Sequence, residues 1–207
     1  MKNVRIGSSD EINSLTIKSM FLERKRVFID MMGWGLTHFD GLEVDEFDNI
    51  SATYVIIVDE GSGLHLASAR LLPTEQPHLL DMLFADLCDV DIPRGPDIRE
   101  LTRFCVSPQG NARQRLELRN QLFTALVEYA LMQGIRGYTG VTHASFLSQV
   151  LSIGWRCDML GLPRETSGGT LAAVHAHVGS ETIGLMRRAD TFAALPMLPY
   201  HGVSIAA

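Results

Sequence analysis

The chain has 207 residues with 18 Lys and Arg against 24 Asp and Glu, a formal charge of −6. That length can bury a sizeable core and points to a single domain over residues 1–207, while the acid excess argues against a nucleic-acid partner. No run approaches the roughly 18 apolar residues of a membrane span, so no membrane association is expected.

Residues 1–5 lack the apolar stretch of a signal peptide. Cys88, Cys105 and Cys157 are far apart in apolar surroundings and read as reduced thiols of a cytoplasmic protein, with neither a disulfide framework nor a metal knuckle.

In chain order, residues 3–6 suggest a short strand. Over 14–32 the apolar positions Leu15, Ile17, Phe21, Leu22, Phe28, Met31 and Met32 fit a helix, with Gly33 placed to cap it. Arg24 and Phe28, at i and i+4, then share one face, and Trp34 falls just past the helix end. Residues 35–50 form a long, Gly- and acid-rich loop, a type that is often functional when ordered. Within it Glu43 and Glu46 read as solvated acids, Asp45 and Asp48 as acids with partners. Residues 54–58 and 64–72 read as a hairpin around 59–63, stopped by Pro73, with Arg70 inside the returning strand. A helix over 78–87 and an acidic loop follow.

Residues 98–108 read as a buried strand ended by Pro108, yet carry Glu100 and Arg103. Buried charges must be paired or at work. Strict alternation puts Glu100 and Thr102 on one face and Arg103 on the other, unless a bulge intervenes. Beyond it the sequence predicts a helix over 113–132, a strand over 137–141, a helix over 143–151, a strand near Trp155, a loop over 161–169, a strand over 170–178 and a short helix from Glu181. Residues from about 191 to 207 read as an irregular tail. A hairpin followed by alternating strands and helices implies an α/β fold, a mixed central sheet in a three-layer α/β/α arrangement.

Arg24-x3-Phe28-x5-Trp34, Asp45-x2-Asp48, Arg70 in Ser-Ala-Arg-Leu-Leu-Pro-Thr, and Glu100-x2-Arg103-Phe104 together form a pattern. In it the chain resembles the acyl-homoserine lactone synthase (autoinducer synthase) family, and 137–155 is similar to that family's strand, helix and Gly-Trp ending. The resemblance implies a fold similar to the Gcn5-type N-acetyltransferases. It also implies an acyltransferase that acylates the α-amine of S-adenosylmethionine, closes the lactone of a quorum-sensing signal and releases methylthioadenosine. S-adenosylmethionine is then a substrate and no cofactor is required; the acyl donor is an acyl carrier protein or a coenzyme A thioester.

Acyl transfer needs a deprotonated amine, and an α-amine with a pKa near ~8 is mostly protonated at neutral pH. Glu100 is the candidate base, directly or through water, and Arg103 the second catalytic candidate; the alternative for Glu100 is a structural carboxylate. Residues 1–50 are expected to bind the donor. Trp34 and Phe28 suit the sulfonium or the adenine, although Phe28 also suits a helix core; Arg24 or Arg103 suits the donor's carboxylate. Asp45, Asp48, Arg70 and Arg103 are expected to pair and pin the 35–50 loop. Phe104, Val141, Thr142, Phe146, Leu147, Leu151 and Trp155 are candidates for the acyl-chain pocket, and the resemblance links Thr142 to 3-oxo-acyl chains.

Relatives carry basic residues in the helix before Gly-Trp; here residues 145–153 have none, and basic charge gathers at Arg99, Arg103, Arg113, Arg115 and Arg119. Gln109-Gly110-Asn111-Ala112 before a helix offers N–H groups to a phosphate. His175-x-His177 reads as structural, with no Cys or acid partner in view, and no nucleophile elbow is present. The other functions weighed are a generic coenzyme-A-dependent N-acetyltransferase and a non-catalytic S-adenosylmethionine-binding protein.

Overall fold

Stretches rich in apolar and β-branched residues make the central strands. In hydrogen-bonding order they run β1 (Lys2–Gly7), β2 (Thr53–Asp59), β3 (His65–Pro73), β4 (Ile98–Val106), β5 (Gly137–His143), β8 (Gly169–His177) and β6 (Arg156–Met159), with β7 (Arg164–Thr166) on β8. This computed structural model describes residues 1–166 and 168–197. β4 and β5 are parallel, whereas β1/β2, β5/β8, β6/β8 and β7/β8 are antiparallel, so the sheet is mixed, as expected. The helices are α1 (Ser14–Arg24), α2 (Leu79–Leu83), α3 (Ala112–Gln133), α4 (Ala144–Leu151) and α5 (Thr182–Arg188).

The chain folds as two compact units whose limits fall inside β3, β4 and α3. Unit 1 holds residues 1–70, 103–125 and the described residues from 194; unit 2 holds 71–102 and 126–193. In unit 1, β2 is buried from Tyr54 to Val58, which is why it carries no charge there. In unit 2, Leu80, Leu87, Leu160, Leu171 and Ala173 form an apolar cluster joined by Val141. Tyr138 donates to the Leu126 carbonyl of α3 at 2.9 Å, so its neighbour Thr139 points to the opposite face of β5.

Three expectations need correction. The helix over 14–32 is α-helical only to Arg24 and continues as a π-helix, Lys25–Met31. Its wider turns carry the Phe28 carbonyl to the Trp34 N–H at 2.9 Å, and Gly33 closes the end at φ 70°. The helix over 78–87 breaks into α2 and a 3₁₀ turn, Ala85–Leu87. The loop over 161–169 contains β7, which pairs with the start of β8. Residues 191–196 form no helix or strand, and the isolated bridge of Met197 to Val4, with the Val4 N–H donating to the Pro196 carbonyl at 3.0 Å, ties this stretch to β1; residues 198–207 lie outside the described residues.

Candidate functional site

Three arginines and three carboxylates of unit 1 close into an alternating ring. Arg24 donates from Nε to Glu43 Oε2 at 2.5 Å and, as a two-pronged fork, to both Asp48 oxygens at 2.8 and 2.9 Å. Arg70 forks onto Asp45 at 2.5 and 3.1 Å and also reaches Asp48 Oδ1 at 2.8 Å. Arg103 completes the circuit, from Nε to Glu43 Oε1 at 3.0 Å and from Nη2 to Asp45 Oδ2 at 2.7 Å. Each guanidinium touches two carboxylates and each carboxylate two guanidiniums, so the ring is neutral as well as buried. Charge-assisted, bidentate bonds of this kind are the strong class.

Local sequence makes this possible. Asp45 Oδ1 accepts from the Phe47 N–H and Asp48 Oδ2 from the Asp45 N–H, both at 2.9 Å, folding the acids into one turn. The Glu43 N–H donates to the Phe21 carbonyl at 3.2 Å, tying the loop to α1. An aromatic ring backs each guanidinium: Phe21 lies 5.0 Å from Arg24, Phe47 5.8 Å from Arg70 and Phe28 6.0 Å from Arg103. Arg103 reaches its acids because its backbone is left-handed, φ 50°. Burial on β4 runs Glu100, Thr102, then Cys105, a one-residue slip of the alternation at that point. The departure from strict alternation therefore falls at Arg103.

The electrostatics follow from the closure. Burial opposes the charge on Arg24, but hydrogen bonds and charges from Asp48 and Glu43 outweigh it and raise its pKa. Burial pushes Asp48 up, yet Arg24, then Arg70, hold it well below the usual carboxylate range. Tyr54 donates to Asp48 Oδ1 at 2.9 Å; burial, then Asp48, drive its phenol up, so it stays a donor.

The ring includes one residue that sequence reasoning missed. Glu43, read as a solvated acid, is wholly buried and bridges Arg24 to Arg103; Glu46 is exposed, as expected. Three arginines against two aspartates leave one charge over, and that imbalance was the available signal. The ring also reassigns Arg24. All its nitrogens are engaged and it is 1% exposed, so it has no fork to offer a substrate carboxylate.

Phe28 and Trp34 stack on each other, with ring centroids 4.9 Å apart and planes 5° from parallel. Phe28 is buried beside Val27 and Cys105, while Trp34 is half-buried at the edge of that cluster. Among the two aromatics Trp34 therefore has surface to present to a ligand, and Phe28 is its backing.

Glu100 lies in unit 2, fully buried, and its Oε1 accepts the Leu80 N–H of α2 at 2.8 Å. The parallel pairing of β4 with β5 runs from Ile98↔Gly137 to Glu100↔Thr139. Of the acyl-pocket candidates, Phe104 stacks on Phe123 in unit 1, with centroids 4.4 Å apart. The others belong to unit 2, where Val141 joins the apolar cluster and Trp155 is fixed by donating to the Val150 carbonyl at 3.1 Å. Phe146 and Leu147 are half-buried. Leu151 is 45% exposed, which does not fit an enclosed apolar lining. Thr142 stands on the face of β5 opposite Thr139, since positions three apart alternate.

Two further readings change. Gln114 accepts the Asn111 N–H at 2.8 Å and Asn111 accepts the Gln114 N–H at 3.0 Å, a capping box. Arg115 folds onto the Gly110 carbonyl at 2.7 Å, so the 109–112 turn closes on itself and is a poor phosphate cradle. His177 does have an acid partner, Asp158 Oδ2, 2.6 Å from its Nε2.

The fold is shared with a solved Lactobacillus plantarum protein described as a putative N-acetyltransferase, 13% identical, which superposes with a TM-score of 0.58 over 86% of this chain and 99% of its own. The autoinducer synthase family model matches residues 8–184. An acyl-homoserine-lactone synthase from Rhizobium etli is 31% identical over 170 residues, 80% of each chain. The solved coenzyme-A-dependent acyl-homoserine lactone synthase BjaI, with S-adenosylmethionine and isopentyl-CoA, is 22% identical with a TM-score of 0.84, covering 99% of this chain and 96% of its own. The chain belongs to the autoinducer synthase family, and is an acyltransferase that makes an acyl-homoserine lactone from S-adenosylmethionine and an acyl donor.

Proposed function

We propose that Glu100 is the base that takes the proton from the α-amine of S-adenosylmethionine, freeing its lone pair for the thioester carbonyl. A wholly buried carboxylate on β4, steadied by the neutral Leu80 N–H rather than left to water, is the observation that carries this reading. A carboxylate held in place within reach of the amine can take its proton as the carbon–nitrogen bond forms.

In unit 1 the ring holds the 43–48 turn to β3 and β4, so Arg24, Asp45, Asp48 and Arg70 shape the donor site from behind. Trp34, backed by Phe28, faces the sulfonium or the adenine, and Arg103 Nη1 is directed to the donor's carboxylate while its other nitrogens hold the ring. Once the amide has formed, the methionine carboxylate closes the lactone and methylthioadenosine leaves. S-adenosylmethionine is consumed, no separate cofactor takes part, and the enzyme works in the cytoplasm. Its three free cysteines support that compartment, and no described helix is long and apolar enough to cross a membrane.

Glu100→Gln tests the base. The amide oxygen still accepts from Leu80, so thermal stability and S-adenosylmethionine affinity should hold, while lactone formation drops roughly 100-fold or more. Turnover near the wild-type rate, with acyl carrier protein and coenzyme A thioesters both tried, ends the assignment.

A further inference from the structure

A line of polar side chains crosses the sheet of unit 2 at one register. Glu100 on β4 pairs with Thr139 on β5, Thr139 with His175 on β8, and His175 with Asp158 on β6. Paired positions present their side chains on the same face, and neighbouring strands lie about 4.8 Å apart, so the line spans roughly 14 Å. One pair further along the same face of β8, His177 meets Asp158 and lies with its ring centroid 4.3 Å from that of His175. Exposure rises along the way: Glu100 is 0% and Thr139 1% exposed, His175 is half-buried, and the side chains of His177 and Asp158 are 42% and 72% exposed.

Two atoms in the middle have no hydrogen-bond partner among the described residues, Thr139 Oγ1 and His175 Nε2, both buried. Buried polar atoms are normally satisfied, and orphans call for a reason. The fold also makes room for this imidazole. Gly137 lies on the same face, and a Cβ there would stand 2.3 Å from His175 Nε2. Burial, then the His177 charge, hold His175 below the ordinary imidazole value, with Asp158 opposing, so the ring rests neutral and passes on a proton rather than keeping it.

We infer that Thr139 and His175 carry the proton taken up by Glu100 across the sheet to the exposed His177–Asp158 pair. The inference rests on Glu100 being the base. Its chemistry balances without a further reagent: the C–N bond forms, the C–S bond breaks, and the ammonium loses two protons on becoming an amide. The departing thiolate keeps one, and the other must reach bulk water in every turnover. A hydroxyl and an imidazole each accept a proton on one lone pair and release another, and a water bridging each gap has the polar partners it needs.

The test compares Thr139→Val, which keeps the shape, with His175→Phe, which keeps a flat ring over Gly137, in the full chain at low buffer concentration. Each should lower kcat by about tenfold while S-adenosylmethionine affinity and kcat/KM for the acyl thioester hold, because proton exit follows the irreversible acyl transfer. His175→Ala, which leaves a hole, should recover with added imidazole. Wild-type kcat in Thr139→Val at low buffer overturns the route. So does an equal loss of kcat and kcat/KM that imidazole does not restore, the mark of damaged packing. An active Glu100→Gln instead removes the base itself; an inactive one beside an unaffected Thr139→Val removes the route alone.

Discussion

The charged ring of unit 1 and the polar line across the sheet of unit 2 hold their buried groups in opposite ways. In unit 1 six charges are matched partner for partner, and Asp48 alone accepts from Arg24, Arg70, Tyr54 and the Asp45 N–H. In unit 2 the line from Glu100 includes atoms with no partner, Thr139 Oγ1 and His175 Nε2. A matched network has little to gain from a ligand or a proton and is spent on holding shape. An incompletely matched one is a place where something has yet to arrive or pass through. The charged ring thus holds the shape of unit 1, and the quieter row is where the proposed proton chemistry is assigned.

The largest expected effect breaks the framework. Asp48→Asn strips a carboxylate from two buried guanidiniums and should cost about 3–5 kcal/mol, a fall in melting temperature of roughly 10 °C for a chain of this size. A loss below about 1 kcal/mol, the range of solvent-exposed pairs, would contradict the ring's burial. Next comes pH. His65 is buried against Ser68, and burial, then the Arg24 charge, pull its pKa from 6.5 to about 3. The unfolded chain takes up this proton below pH 6.5 while the folded one refuses it until about 3. The contribution is therefore complete above 6.5 and is lost progressively as pH falls toward 3, by up to about 1.4 kcal/mol per pH unit. Urea denaturation across that window should show the slope, and His65→Gln should flatten it. The smallest effect sharpens the ligand side: Trp34→Leu should weaken S-adenosylmethionine binding by about 2- to 30-fold, equivalent to ~0.5–2 kcal/mol, with stability nearly unchanged, as calorimetric titration would show.

Much of this could be read before folding, because β2, β3 and β4 advertise themselves by apolar runs and Arg70, Glu100 and Arg103 stand out against them. Gathering Asp45, Asp48, Arg70 and Arg103 needed only the rule that buried charge seeks buried charge. What stayed hidden depended on backbone detail. Nothing in the periodicity of residues 14–32 separates an α-helix from one that widens after Arg24, since apolar spacing tolerates either over two turns. The left-handed Arg103 is equally silent, for an arginine is not a residue expected at φ 50°. The row through Thr139 and His175 required registers that no single strand encodes, because it depends on how four strands line up.

Because each member of the ring serves two neighbours, Arg24, Glu43, Asp45, Asp48, Arg70 and Arg103 are heritable only as a block. A lone exchange at any of them strands two opposite charges, so intermediates on the way to a different arrangement are the least stable proteins along the path. Chimeras built from this chain should be cut outside residues 24–103, so that all six corners come from the same parent.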